Sequence, residues 1–319
     1  MKKKLVNEVY LEGYLYEHKL SAKVSGPESQ APGTAYITGS IGIATDENCS
    51  NVVTVFYTYV TPTTKNGGVN NTYTVLDNII NKNYKTVLDA GKDGATKVKV
   101  DTAIGLNEFY TTNRQTNAEE FVSTKRNSGG FIHVVDRLDE DESKRNKFTC
   151  DMIITGAKRV EANEERNLPE KVVVKGAIFD FRNALLPVEF TATNTAAMDY
   201  FEGLEPSSSN PVFTKLWGKQ ISETIVKTIT EEAAFGEDSV REVKNSRKDY
   251  LIVGASKETY EWDTEDTMTN AELSAAIAAR EVYLADIKQR NEEYKSKKGN
   301  AAPATATPVS SPASADFKF

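Results

Sequence analysis

The sequence predicts a mainly β chain. Two small barrels with the OB-fold order (β-β-β-α-β-β), tandem or intertwined, are followed by a C-terminal helix and a disordered tail. Three observations lead there. Runs dense in β-branched and aromatic residues recur to about residue 256, separated by Gly, Pro and Ser. Each half carries one segment that breaks to helical spacing between its third and fourth strand runs. After residue 269 the pattern turns helical and then becomes an Ala/Pro/Thr/Ser tract.

Taken in order, Val6–Leu20 alternates around Gly13, which suggests a long strand bent at the glycine. Ser25–Gly33 is a Gly/Pro/Ser connection, and Ala35–Ala44 and Val52–Val60 are the next strands. Thr61–Asn71 is a polar loop. Thr74–Ala90 has Val75, Leu76, Ile79, Ile80, Tyr84, Val87 and Leu88 at offsets of three and four, and predicts one helix closed by Gly91 and Gly94. Lys97–Phe109 returns to strand, and a further strand falls at Glu120–Lys125 or Phe131–Leu138. A helix between the third and fourth strands of a small barrel is the plan of the OB-fold, a partly open five-stranded Greek-key barrel.

The order then recurs: strands at Phe148–Val160, Lys171–Phe181 and Leu185–Ala192, a short helix at Ala196–Leu204, and strands at Pro211–Ile229 and Val240–Val253. Phe148–Val160 fits either as the first strand of the second barrel or as the last strand of the first, in which case the barrels intertwine. Thr269 and Glu272 form a capping box at the head of a helix carrying Leu273, Ile277, Leu284, Ile287 and Tyr294. The expected domains are therefore 1–140, 147–256, an acidic segment with a helix over 257–298, and a disordered tail over 299–319 that ends in Phe.

Charge and composition narrow the function. The chain has 319 residues, 39% of them hydrophobic, with 39 basic and 46 acidic side chains and a formal charge of −7. Residues 1–130 hold 14 basic and 13 acidic residues, residues 131–250 hold 17 and 22, and residues 251–319 hold 8 and 11. The N-terminal part is thus free of the acidic excess, which argues for a local basic groove rather than a surface basic throughout. No run of about 18 apolar residues occurs, so no membrane helix is expected. Glu8 interrupts any apolar signal core, and Cys49 and Cys150 are too few for a disulfide scaffold, so a reducing cytoplasm is the expected setting.

Enzyme signals are weak. There is no Walker A pattern and no HExxH, and two Cys with two His so far apart lack zinc-site spacing. Asp139-Glu140-Asp141-Glu142 lacks the spacing of an EF-hand loop and reads as a solvated acidic linker. No catalytic residue, metal or cofactor is expected.

Aromatic and basic residues on strands are the informative feature. Single strands are held by rings that stack on unpaired bases and by cations that follow the phosphates. The candidates are Tyr14, Tyr16, Lys19, Tyr57, Tyr59, Lys97, Lys99, Lys125 and Arg126 in the first half, and Arg182, Lys215, Trp217 and Lys219 in the second. Many of these rings must fill barrels: Tyr57 and Tyr59 share a face opposite Phe56, and one of those faces is core. Lys215, Trp217 and Lys219 share a face whose composition is unsuited to a core.

Asn7-Glu8-Val9-Tyr10-Leu11-Glu12-Gly13-Tyr14-Leu15 resembles the opening strand of bacterial single-stranded DNA-binding proteins. Leu168–Phe190 and Asn210–Ile221 resemble the large single-stranded DNA-binding proteins of bacteriophages and mobile elements. The resemblance implies sequence-independent coating and protection of single-stranded DNA in phage or mobile-element replication and recombination, in the host cytoplasm. It also implies a C-terminal tip that docks replication or recombination proteins, here Asp316, Phe317 and Phe319, with Lys318 departing from the acidic pattern. The alternative is a β-rich phage structural or assembly protein, favoured by the net charge and by the apolar series of the C-terminal helix. Either reading is compatible with an oligomer.

Overall fold

The computed structural model describes residues 5–113, 115–163, 168–231, 235, 239–264 and 267–299. The chain is mainly β. The first half contributes β1 (Asn7–His18), β2 (Ser21–Val24), β3 (Ala35–Ala44), β4 (Val52–Val60), helices α1 (Asn71–Ile80) and α2 (Val87–Gly94), β5 (Lys97–Thr112) and β6 (Glu119–Val134). The second contributes β7 (Asn146–Val160), β8 (Lys171–Phe179), β9 (Leu185–Ala192), α3 (Thr195–Gly203), β10 (Val212–Glu231), β11 (Ser239–Ala255) and the C-terminal helix α4 (Asn270–Gly299). The expected tail, with Asp316, Phe317 and Phe319, lies outside the described residues apart from Gly299 at the end of α4.

All eleven strands join one hydrogen-bonded sheet. Two pairing circuits run through it. In the first, β1 pairs with β3, β3 with β4, β4 with β6 in parallel, β6 neighbours β5, and β5 returns to β1. In the second, β7 pairs with β8, β8 with β9, β9 with β11 in parallel, β11 with β10, and β10 returns to β7. β7 also pairs with β1, from Asn7↔Cys150 to Leu11↔Asn146. The strand that the sequence left between two assignments thus starts the second circuit and hydrogen-bonds to the first.

Close packing explains why a glycine stands in the middle of β1, while the irregularity in its pairing with β3 lies two to four residues on, between Leu15 and Glu17. A Cβ on Gly13 would stand 2.0 Å from the Ala44 carbonyl oxygen, so only glycine lets β1 cross β3 there. The inward faces of both circuits merge in one apolar cluster, which includes Leu11, Leu15, Val55 and Val100 from the first and Phe148, Phe190 and Ile252 from the second. Burying each such side chain is worth about 1.5–3 kcal/mol.

Several elements differ from the sequence expectation, among them β2, a short exposed strand that the sequence did not predict. The single helix expected over Thr74–Ala90 is two helices. Lys82 adopts φ 60° at the break, and Thr86 opens α2 with a capping box closed by Asp89. Turn-forming Asn81 and Asn83 and this second start signal override the apolar spacing, while Tyr84 still packs on the core from the turn. β6 is one strand that covers Glu120–Lys125 and reaches into the other alternative as far as Val134, with Gly129 and Gly130 at positive φ inside it.

The chain divides into two compact units. The larger, Met1–Asn107 with Ser123–Arg280, contains both circuits. In it the segment before α4 crosses the outside of the second circuit: the Tyr260 N–H donates to the Phe213 carbonyl at 2.7 Å, and its hydroxyl donates to buried Asp151 at 2.9 Å. The α4 capping box closes as the sequence predicts, the Glu272 N–H donating to Thr269 Oγ1 at 3.2 Å. The smaller unit pairs the β5–β6 tip, Glu108–Val122, with α4 from Glu281 onward. There Tyr110 and Phe121 pack with ring centroids 5.3 Å apart, and Lys295 forms an ion pair with Glu119. Among the described residues no helix is long and apolar enough to cross a membrane.

Candidate nucleic-acid interface

The outer face of β10 is built by alternation. Leu216, Gly218 and Gln220 are buried, while Trp217 and Lys219 are exposed and Lys215 is half-buried. Trp217 lies opposite Thr149 of β7 on one side and Gly254 of β11 on the other. A Cβ on Gly254 would fall 2.4 Å from the indole, so the ring rests against bare backbone. Trp217 nevertheless stays 42% exposed. A ring backed by main chain and open to solvent has a free face for another flat group and little freedom of its own to lose.

Clefts lie on both sides. One, of about 700 Å³, is lined by Trp217, Lys219 and Val253, by Lys147 and Thr149 of β7, and by Asp46 and Asn51 from the β3–β4 connection. The Asp46 carboxylate accepts hydrogen bonds from the Ser50 and Asn51 N–H groups at 3.0 and 2.8 Å. The other, of about 640 Å³, runs between β11 and α3 and shares Lys219 and Val253 with the first. Its described lining includes Lys219 and Lys257 and no carboxylate.

The remaining sequence candidates are dispersed. Tyr14 and Tyr57 are core residues, not stacking surfaces. Tyr14 donates its hydroxyl to Glu47 at 3.0 Å beneath the Lys92 ammonium. Tyr57 continues the inward line of Val53 and Val55, and desolvation pushes its phenol well above the usual range. Past it, a register shift in the β3–β4 pairing turns Tyr59 outward, where it packs on Tyr36 at 4.6 Å. Tyr16 is half-buried against the cluster around Tyr14, and Lys19 is exposed.

The cations of the first half are mostly engaged. Lys97 donates to the Asp136 carbonyl at 3.3 Å, and Lys99 sits over the Tyr10 ring. Arg126 lies over Phe56 and donates to Asn107 at 3.3 Å. Lys125 points into the second circuit, over Phe190 and Tyr250, and donates to the Glu189 carbonyl. Desolvation there holds its ammonium below the usual lysine range. Arg182 is exposed and stacks on Phe181 at the β8–β9 turn. Of the candidates, Lys219 lines both clefts and Trp217 the first, with Lys215 beside them on the same strand face.

The YorF family model matches residues 6–290. This chain belongs to the YorF family. No curated protein matches it. Among solved structures, a deletion mutant of the single-stranded DNA-binding protein from Thermus aquaticus is similar, with a TM-score of 0.44 and 9% identity, over 82% of this chain and 99% of that one.

Among the residues lining these clefts, sequence reasoning missed Lys147, Thr149, Val253, Gly254 and Lys257 in this YorF-family chain. Lys147 and Thr149 carry a signal, since they alternate outward against buried Asn146 and Phe148. Gly254 carries none, because its role depends on the strand that pairs with it.

Proposed function

We propose that this YorF-family protein binds single-stranded DNA without sequence preference, by base stacking and phosphate contacts and without covalent chemistry. The observation that carries the reading is Trp217, pinned on Gly254, exposed to solvent and flanked along β10 by Lys215 and Lys219. Rings supply sequence-tolerant stacking, and lysines supply charge that follows the backbone. We read the two pairing circuits as OB-type barrels, because each is a five-strand ring whose third and fifth strands pair in parallel. The biological setting we assign is coating of single strands in phage or mobile-element replication or recombination.

Gel-shift titration with oligo-dT and with duplex of equal length tests the reading. Preference for the single strand, weakening as salt rises, is expected. Equal affinity for both, or weak binding to both at low salt, overturns it.

A second reading, a structural or assembly protein, draws on α4, which from Glu281 onward leaves Val282, Tyr283 and Tyr294 exposed. Recovery of the protein in purified particles rather than in DNA-bound fractions would favour it.

A further inference from the structure

We infer that the cleft between β11 and α3 seats one nucleotide of the bound strand, splayed away from the base that stacks on Trp217. This rests on the single-strand reading above.

The cleft holds about 640 Å³, more than enough for one base and its sugar. Its floor is apolar, from Phe201, Leu251 and Ile252, with Tyr200 at the side. The Tyr200 hydroxyl is engaged, donating to the Ser256 carbonyl at 3.2 Å, so the ring offers carbon surface rather than a free donor. Lys219, from within β10, and Lys257, just past the end of β11, both line the cleft, and its described lining contains no carboxylate. An apolar slot with cations and no acid fits a ligand with a flat apolar body and a negative link. A nucleotide has that chemistry.

Continuity with the stacking platform selects the occupant. Gly254, which supports the indole, also lines the cleft, and Lys219 and Val253 border both clefts. A strand with one base on the indole therefore passes Lys219 on its way to the α3 side. The neighbouring cleft contains Asp46 and Glu142 as well as lysines, which makes it the poorer seat for a phosphate.

The experiment uses full-length protein carrying Trp262→Phe, so that indole fluorescence reports Trp217 alone. Fluorescein-labelled oligo-dT, whose anisotropy gives the affinity whatever the protein's indoles do, is titrated against this parent and against two added single variants, Ala196→Trp, which fills the cleft from an exposed position on α3, and Lys257→Ala. Thermal melts confirm that each variant is folded. The parent should show quenching on binding. Ala196→Trp should lower affinity by roughly tenfold, the scale of one lost base contact. Lys257→Ala should reduce the salt slope by about 0.7, one phosphate contact on a single strand. Parental affinity in folded Ala196→Trp overturns the seat, and an unchanged slope in Lys257→Ala overturns its phosphate contact. A parent without quenching or binding overturns the single-strand reading and the seat with it.

Discussion

Gln220 and Asn127 exchange hydrogen bonds across the junction of the two circuits. The Gln220 amide donates to Asn127 Oδ1 at 2.9 Å, and the Asn127 amide donates to Gln220 Oε1 at 2.8 Å. Both side chains are buried. Their remaining polar atoms are also engaged: Asn127 Nδ2 donates to the Thr54 carbonyl at 3.0 Å, and the Gln220 main chain is held by Asn146 and Asn51. The pair ties β6 to the inward face of the strand whose outward face bears Trp217 and Lys219.

Removing Asn127 takes away both bonds described above for the Gln220 amide in a dry site, whereas removing Gln220 leaves Asn127 with the Thr54 carbonyl and the Tyr250 hydroxyl and one bonding direction lost. Asn127→Ala or Gln220→Ala should each lower stability by about 1–3 kcal/mol, measured by urea denaturation. The double variant should lose less than the sum of the two. Additive losses would show that the two amides act independently.

Trp217→Ala should weaken binding to oligo-dT by about 1–3 kcal/mol, the worth of one stacked base. The melting temperature should hardly move, since the ring is 42% exposed. An unchanged affinity with an unchanged fold would remove Trp217 from the interface.

Gly254→Ala tests the support rather than the ring. The new methyl would meet the indole at 2.4 Å, so the ring must lift from the strand. The expected signature is weaker oligo-dT binding with altered Trp217 emission in the Trp262→Phe background. Emission and affinity like the parent's would show that the backbone contact does not position the ring.

Salt dependence reads the cations. Lys215→Ala and Lys219→Ala should each flatten the plot of log affinity against log salt by about 0.7. Lys125→Ala should leave that slope alone, because its ammonium is turned onto Phe190 and Tyr250. A slope change at Lys125 equal to that at Lys219 would contradict the orientation of the side chain.

Acid should loosen the contact between α2 and the first circuit. Lys92 and Arg145, with the Tyr14 hydroxyl, hold the Glu47 carboxyl down to about 2 from its ordinary 4.5. Because the folded value is the lower one, this stabilisation is full above pH 4.5 and is lost as pH falls toward 2. Stability measured between pH 6 and pH 2.5 should fall less steeply in Glu47→Gln than in the parent. Identical profiles would show that Glu47 does not contribute to acid sensitivity.

The strand pattern was legible because it is local. β3, β4 and β9 begin and end where the runs of β-branched and aromatic residues do, and the alternation of Lys215, Trp217 and Lys219 emerges on one face of β10. The break at Lys82 was hidden because helical spacing continued through Tyr84 while turn residues and a second cap interrupted the backbone.

What the sequence by itself determined was therefore the order of the main strands, the need for a glycine inside β1 and the outward line on β10. Tertiary structure alone decided which rings are free. Tyr14 and Tyr57 look like Trp217 in their own strands, yet the first two face the core and the third faces solvent. It also decided that Lys125 points inward, that Gly254 lies under the indole and that two clefts meet at Lys219. The physical reason is one of range. Side-chain alternation follows from the geometry of a single strand, whereas the atom facing each side chain is set by pairings between residues far apart in the chain.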